Sequence, residues 1–147
     1  SRVARSNIWG LRKMGAEVGV CGPPTLVPGI IRELGVKIYP RVEDALAECD
    51  VVNVLRIQLE RMQSNMFPSL QEYNRLFGVT NKRLQAAGHD ILILHPGPMN
   101  RGVEIDSDVA DGPQQVILKQ VTNGVAIRMA VLFLVNQASV KGQNLKT

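Results

Sequence analysis

Aromatic residues are scarce, with one Trp, two Tyr and three Phe in 147 residues. So few rings exclude a stacking platform for bases. The formal net charge of +4 is mild and spread along the chain, without the Lys/Arg stripe that nucleic-acid binding requires. The two cysteines, Cys21 and Cys49, have no second Cys or His at metal-ligand spacing, which excludes a zinc ligand set and leaves them as buried thiols of a reducing compartment. The longest uninterrupted apolar stretch near the C-terminus, residues 129–135, lies between Arg128 and Asn136. It falls far short of the ~20 residues of a membrane span. The opening Ser-Arg-Val-Ala-Arg-Ser lacks the apolar core of a signal peptide. There is no internal repeat, no low-complexity segment and no linker. These absences predict a cytoplasmic protein with neither a nucleic-acid nor a membrane partner.

What is present is a globular composition, 45% hydrophobic. A chain of this size buries roughly 70% of its unfolded surface, enough for one core but not two. Apolar, β-branched runs at 18–21, 36–39, 51–55 and 91–94 read as buried strands, separated by helix-like stretches. Residues 25–34 read as a helix with Thr25 as N-cap and Gly35 as a left-handed C-cap, and 42–48 as a second. A helix starts near Pro68-Ser69 and runs towards Phe77, and Thr80 to Ala87 is another, closed by Gly88. Two prolines and two glycines in 95–102 forbid regular structure there. Helix resumes from about Gln114, and 125–135 is apolar enough to predict a well-buried helix.

The alternation predicts an α/β fold: a doubly wound, Rossmann-like, mostly parallel sheet flanked by helices. The chain opens directly on a helix pattern, 2–14, with no initiator Met and no strand before it. In a right-handed doubly wound sheet the first helix follows a strand, so the expectation is a single domain, residues 1–137, cut from a longer protein and lacking its partner domain. Residues 138–147 are polar and expected to fray. No Gly-x-Gly-x-x-Gly follows any strand, and Gly22-Pro23-Pro24 would block close approach to a pyrophosphate, which disfavours a nicotinamide-binding domain.

Ligands of open α/β sheets bind beyond the carboxyl ends of the strands. Arg56 directly follows the third strand, with Gln58 two residues on and on the same side of an extended chain. His95-Pro96-Gly97-Pro98 directly follows the fourth, and Arg2 starts the first helix. Two guanidiniums and a carboxamide at one edge suit a small dicarboxylate, since each Arg presents a two-pronged donor. Taken singly, Arg56 reads as a surface charge and Arg2 as a terminal residue. Their motifs decide otherwise.

Ser1-Arg2-Val3-Ala4-Arg5-Ser6-Asn7, Leu55-Arg56-Ile57-Gln58-Leu59-Glu60-Arg61 and the run His95-Pro96-Gly97-Pro98-Met99-Asn100-Arg101-Gly102-Val103-Glu104-Ile105 resemble the second half of the aspartate carbamoyltransferases. Gly22-Pro23-Pro24-Thr25 and Asn123-Gly124 extend the resemblance to about Asn136. It implies transfer of a carbamoyl group from carbamoyl phosphate to the α-amino group of L-aspartate in pyrimidine synthesis, with no metal or organic cofactor. In that likeness Arg2 matches the Arg that binds the α-carboxylate of aspartate, Arg56 the one that binds its side-chain carboxylate, and Gln58 the residue supporting that pocket. Gly97 and Pro98 match a turn, cis at the proline, whose backbone carbonyls face carbamoyl phosphate and the incoming amine.

The resemblance also implies an N-terminal carbamoyl-phosphate domain, carrying a Ser-Thr-Arg-Thr type loop, a carbonyl-polarising His and a Lys from a neighbouring subunit. None of these motifs occurs in this sequence, so the chain by itself is expected to be inactive. The whole form resembles a homotrimer with sites between subunits. Ornithine carbamoyltransferase is the nearest rival, but it has a Cys in the turn where His95-Pro96-Gly97-Pro98 stands. A binding module for a dicarboxylate or a partner protein, without catalysis, is the alternative of a different class.

His95 is expected to be satisfied by backbone carbonyls, and His89 to sit in a turn. Arg5 and Arg61 read either as helix-face charges or as part of the basic pocket. Asn100-Arg101-Gly102 resembles an expansion in forms that associate with dihydroorotase, or else a solvated loop. Residues 62–78 read either as a lid over aspartate or as a packed helical connection.

Overall fold

A computed structural model describes residues 2–58 and 69–144, with side chains as far as 137. Helix α1, Arg2–Lys13, has Arg12 and Lys13 in its last turn, where positive charge complements the helix dipole. It ends as expected at Gly15, which takes a left-handed φ of 84°. Strand β1, Gly19–Cys21, then pairs in parallel with β2, Lys37–Tyr39, placing Val20 opposite Ile38.

The connection between them departs from the expected helix over 25–34. Only Gly29–Leu34 is helical, and as a 3₁₀ helix. The carbonyl of Pro23 accepts the N–H groups of both Leu26 and Val27, curling 23–27 into a turn of its own. Pro28 then disfavours the helical region for Val27. Gly35 does close the helix, at φ 71°.

Helix α2, Val42–Glu48, has the expected bounds, with Glu43 and Asp44 in its first turn and Val42 and Leu46 buried. Strand β3, Val51–Asn53, pairs in parallel with β4, Leu92–Leu94. Both are one or two residues shorter than their apolar runs. Between them, α3 (Leu70–Phe77) starts where the Ser69 hydroxyl accepts the N–H of Glu72, and α4 (Asn81–Ala87) where the Thr80 hydroxyl accepts that of Arg83. Gly88, at φ 76°, ends α4.

After β4, a short helix α5, Ser107–Ala110, appears where none was expected. Helix α6, Ile117–Asn144, begins three residues later than Gln114. Residues 114–116 instead run along β4, the carbonyl of Gln114 accepting from Ile93 and the N–H of Val116 donating to the Ile93 carbonyl. The fold is therefore α/β with parallel strands flanked by helices, the described strands forming two parallel pairs. The main core joins Val42 and Leu46 of α2, Leu84 of α4, Ile93 of β4, and Val54, Val79, Ile91, Ile105, Val109 and Ile117. Ile57, Tyr73 and Val103 make a smaller cluster with Leu26 and Phe77.

Two expectations are corrected here. The helix over 125–135 is not buried: Val125, Ile127, Met129, Leu132 and Phe133 are all more than half exposed. Its apolar run carries no polar face, and such a run is buried only if another surface covers it. Nor does the length argument hold for the folded helix, since Ile117–Gln137 is long and apolar enough to cross a membrane by length and composition. Residues 138–144 of the polar tail have helical backbone, and 145–147 lie outside the described residues.

Arg83 fastens α4 to its neighbours. Its Nη1 donates to the carbonyls of Asn74 and Gly78, its Nη2 to that of Arg75, and its Nε pairs with Glu43 of α2 at 2.6 Å. These carbonyls belong to the last turn of α3, where helices leave acceptors unmatched. The guanidinium, by hydrogen bonding first and charge second, holds the Glu43 carboxyl below the usual carboxylate range. Arg83→Ala is expected to lower stability by about 1.5–3 kcal/mol, read as a drop in the denaturation midpoint.

Candidate functional site

The parallel register sets the site's geometry. Asn53, the last residue of β3, stands opposite Leu94, the last of β4. The two strands therefore release their chains side by side, still joined by the N–H of Val54 donating to the Leu94 carbonyl at 2.9 Å. Arg56 and Gly97 lie at equal steps beyond that paired end. Arg56 is half-buried and Gln58 exposed, on either side of buried Ile57. Gly97 has φ 64°, which favours glycine, and the Gly97–Pro98 peptide bond is cis. Arg2 is the exposed first residue of α1, on a separate element.

His95 and Glu104 lie beneath this rim, 0% and 1% exposed. The ring does not rest on backbone carbonyls, as the sequence suggested. Its Nδ1 accepts the Gly97 N–H at 2.9 Å, and its Nε2 faces Oε1 of Glu104 at 3.4 Å. An accepting Nδ1 leaves the ring proton on Nε2, directed at the carboxylate. The same Oε1 accepts the Asn100 N–H at 2.5 Å. Oε2 faces Asn100 Nδ2 at 3.2 Å and the Ile57 N–H at 3.5 Å. Asn100 Nδ2 also donates to the Ile57 carbonyl at 2.8 Å.

Glu104 and Asn100 were not singled out as site residues from the sequence. A signal existed: Glu104 is a lone charge between Val103 and Ile105, both buried, and a charge in an apolar run needs partners. Burial pushes the Glu104 carboxyl up, but the hydrogen bonds from His95, Asn100 and Ile57 outweigh it and hold the group below its ordinary value. A carboxyl lowered on folding adds stability above its unfolded pKa and loses it as the pH falls through the folded one. Denaturant titrations from pH 7 down through the carboxylate range are thus expected to show a smaller acid-dependent loss in Glu104→Gln than in the wild type.

Other side chains fall away from the rim. Arg101 reaches back to Asp111 with two guanidinium bonds, at 2.6 and 2.8 Å. His89 bridges the carbonyls of Ala87 and Cys49. Cys21 and Cys49 are partly buried free thiols, and burial, with Glu43 adding to it, pushes Cys21 up to about 11. Arg61, Glu60 and the first part of the suggested lid, 62–68, lie outside the described residues, whereas 70–77 are the packed helix α3.

Parallel strands that end together beside a buried His–Glu pair, with an arginine and a cis-proline turn at equal steps beyond them, define an α/β domain with its polar groups gathered at the strand ends. The family model for the Asp/Orn binding domain of aspartate/ornithine carbamoyltransferases matches residues 1–135, and the chain belongs to that family. It is 69% identical over 134 residues to the aspartate carbamoyltransferase catalytic subunit of Gemmatimonas aurantiaca, covering 91% of this chain and 42% of that protein. The corresponding subunit of Heliobacterium modesticaldum is 58% identical over 142 residues, covering 97% and 46%. The chain thus spans less than half the length of these relatives.

Among solved structures, aspartate transcarbamoylase from Trypanosoma cruzi in complex with carbamoyl phosphate and aspartate superposes with a TM-score of 0.60 at 25% identity, over 78% of this chain and 40% of that one. Ornithine carbamoyltransferase from Burkholderia thailandensis superposes at 0.68 with 19% identity, over 85% and 40%. The latter likeness is one of fold alone.

Proposed function

We propose that the chain is the aspartate-binding half of an aspartate carbamoyltransferase, which converts carbamoyl phosphate and L-aspartate to N-carbamoyl-L-aspartate and phosphate in pyrimidine synthesis. The observation that carries this reading is the juxtaposition of Arg56 and Gln58 with the Gly97–Pro98 turn at the paired ends of β3 and β4. In it, Arg2 and Arg56 grip the two carboxylates of aspartate, Gln58 supports the pocket, and the carbonyls of Gly97 and Pro98 face the amine and the carbamoyl group. The amine nitrogen bonds to the carbamoyl carbon, the carbon–oxygen bond to phosphate breaks, and the amine sheds a proton. The protein needs no nucleophile of its own for this. It aligns two anions and balances their charge.

The carbamoyl-phosphate domain and the trimer, with sites between subunits, belong to the same reading, as does a cytoplasmic location. The exposed apolar side chains of α6 are then a surface for a second domain to cover rather than for a bilayer. Fractionation of a two-domain chain tests this, since recovery in the membrane pellet would overturn it. Association with dihydroorotase through Asn100–Gly102 is read out by co-elution of the two proteins.

The central test is an assay of a chain carrying both halves, offered aspartate or ornithine with carbamoyl phosphate. Carbamoyl-aspartate is expected from the first and no product from the second, while residues 1–147 alone give no turnover. Aspartate binding without turnover in the two-domain chain would favour the binding module, and turnover with ornithine the rival transferase.

A further inference from the structure

Two segments must keep a fixed relation for the proposed chemistry: the one carrying Arg56 and Gln58, which would hold the amino acid, and the Gly97–Pro98 turn, which would receive its amine. Backbone pairing between them stops at Val54 and Leu94. Beyond that point, the described bonds joining the two pass through Glu104 and Asn100. Asn100 Nδ2 donates to the Ile57 carbonyl at 2.8 Å, while the Asn100 N–H is held by Glu104 Oε1 at 2.5 Å. His95, on the same oxygen, receives the N–H of Gly97 itself. One carboxylate, 1% exposed, thus ties down the residue between Arg56 and Gln58 and also the start of the turn.

We propose that Glu104 is a positioning residue for carbamoyl transfer: through Asn100 and His95, its buried carboxylate holds the Arg56–Gln58 segment in register with the Gly97–Pro98 turn. The inference rests on the function proposed above. A carboxylate suits the task because it only accepts, and every group facing it here can donate. In Glu104→Gln, one oxygen becomes an amide that donates towards donors, so one side of the bridge must open. Asn100→Ala removes the 2.8 Å bond to the Ile57 carbonyl and leaves the carboxylate in place, still facing the Ile57 N–H at 3.5 Å. A misalignment of about 1 Å between reacting groups lowers rates on the order of a hundredfold without removing the groups that bind substrate.

The test uses the two-domain chain, with active sites counted by titration with a bisubstrate analogue. Glu104→Gln is expected to lower kcat about a hundredfold and Asn100→Ala about tenfold, each with less than a threefold change in the KM for aspartate. Arg83→Ala, whose side chain makes none of the bridge's own bonds, serves as the structural control and is expected to lose thermal stability while keeping kcat per site. Should Glu104→Gln fail to fold, Asn100→Ala decides alone. A wild type active on aspartate, together with an Asn100→Ala variant of unchanged kcat and merely lowered Tm, would overturn the role of Glu104. A wild type with no carbamoyltransferase activity would overturn both this inference and the function beneath it.

Discussion

Replacing Arg56 with alanine in a two-domain chain is expected to weaken aspartate binding by about 10- to 200-fold, while carbamoyl phosphate binds as before. The figure follows from losing one charge-assisted, two-pronged contact of roughly 1.5–3 kcal/mol. Arg56 lies three residues beyond β3 and is half-buried as a residue, so it is screened less than a fully exposed surface charge. Arg56→Lys is expected to recover little, because an ammonium cannot present the same planar fork. Calorimetric titration with aspartate, and separately with carbamoyl phosphate, reads the effect. Equal weakening of both ligands would argue for general collapse of the site.

Ile105→Ala is expected to destabilise the domain by about 4 kcal/mol, within the range for large-to-small changes at fully buried aliphatic sites. Ile105 is 0% exposed and packs in the main core. Its neighbours cannot easily collapse into the space, because the backbone is tied on both sides: Val79 donates to the Glu104 carbonyl and accepts from Asp106, and the Ile105 carbonyl receives Gly102 N–H. Since native domains are stable by only about 5–15 kcal/mol, the variant should be largely unfolded at modest denaturant concentration. Ile105→Val, which keeps most of the volume, is expected to lose only about 1 kcal/mol. Denaturation midpoints for the pair check the cavity argument.

The parts of the fold legible in sequence are those governed by local chemistry. Helix α2 has the expected bounds, and Gly35 and Gly88 take the left-handed conformation that closes a helix. Ser69 and Thr80 cap as hydroxyl residues do. What escaped the reading depends on distant partners. The helix expected over 25–34 lost its first half to a carbonyl of Pro23 that takes two N–H groups. The apolar run in α6 said nothing of what covers it. The reading reached Arg56, Gln58 and the Gly97–Pro98 turn through their motifs. Glu104 as a bridge between His95 and the Ile57 segment is not legible in sequence, because one of its contacts lies 47 residues away along the chain.

Gln115 is pinned between the amide and the carbonyl of Ile93, one residue short of the end of β4, and α6 springs from this anchorage almost at once. With 28 residues, that helix is about 42 Å long. Its root therefore sits on the strand leading into the cis-proline turn. Over that length, a change of about 5° in the angle at the root displaces the far tip by about 4 Å.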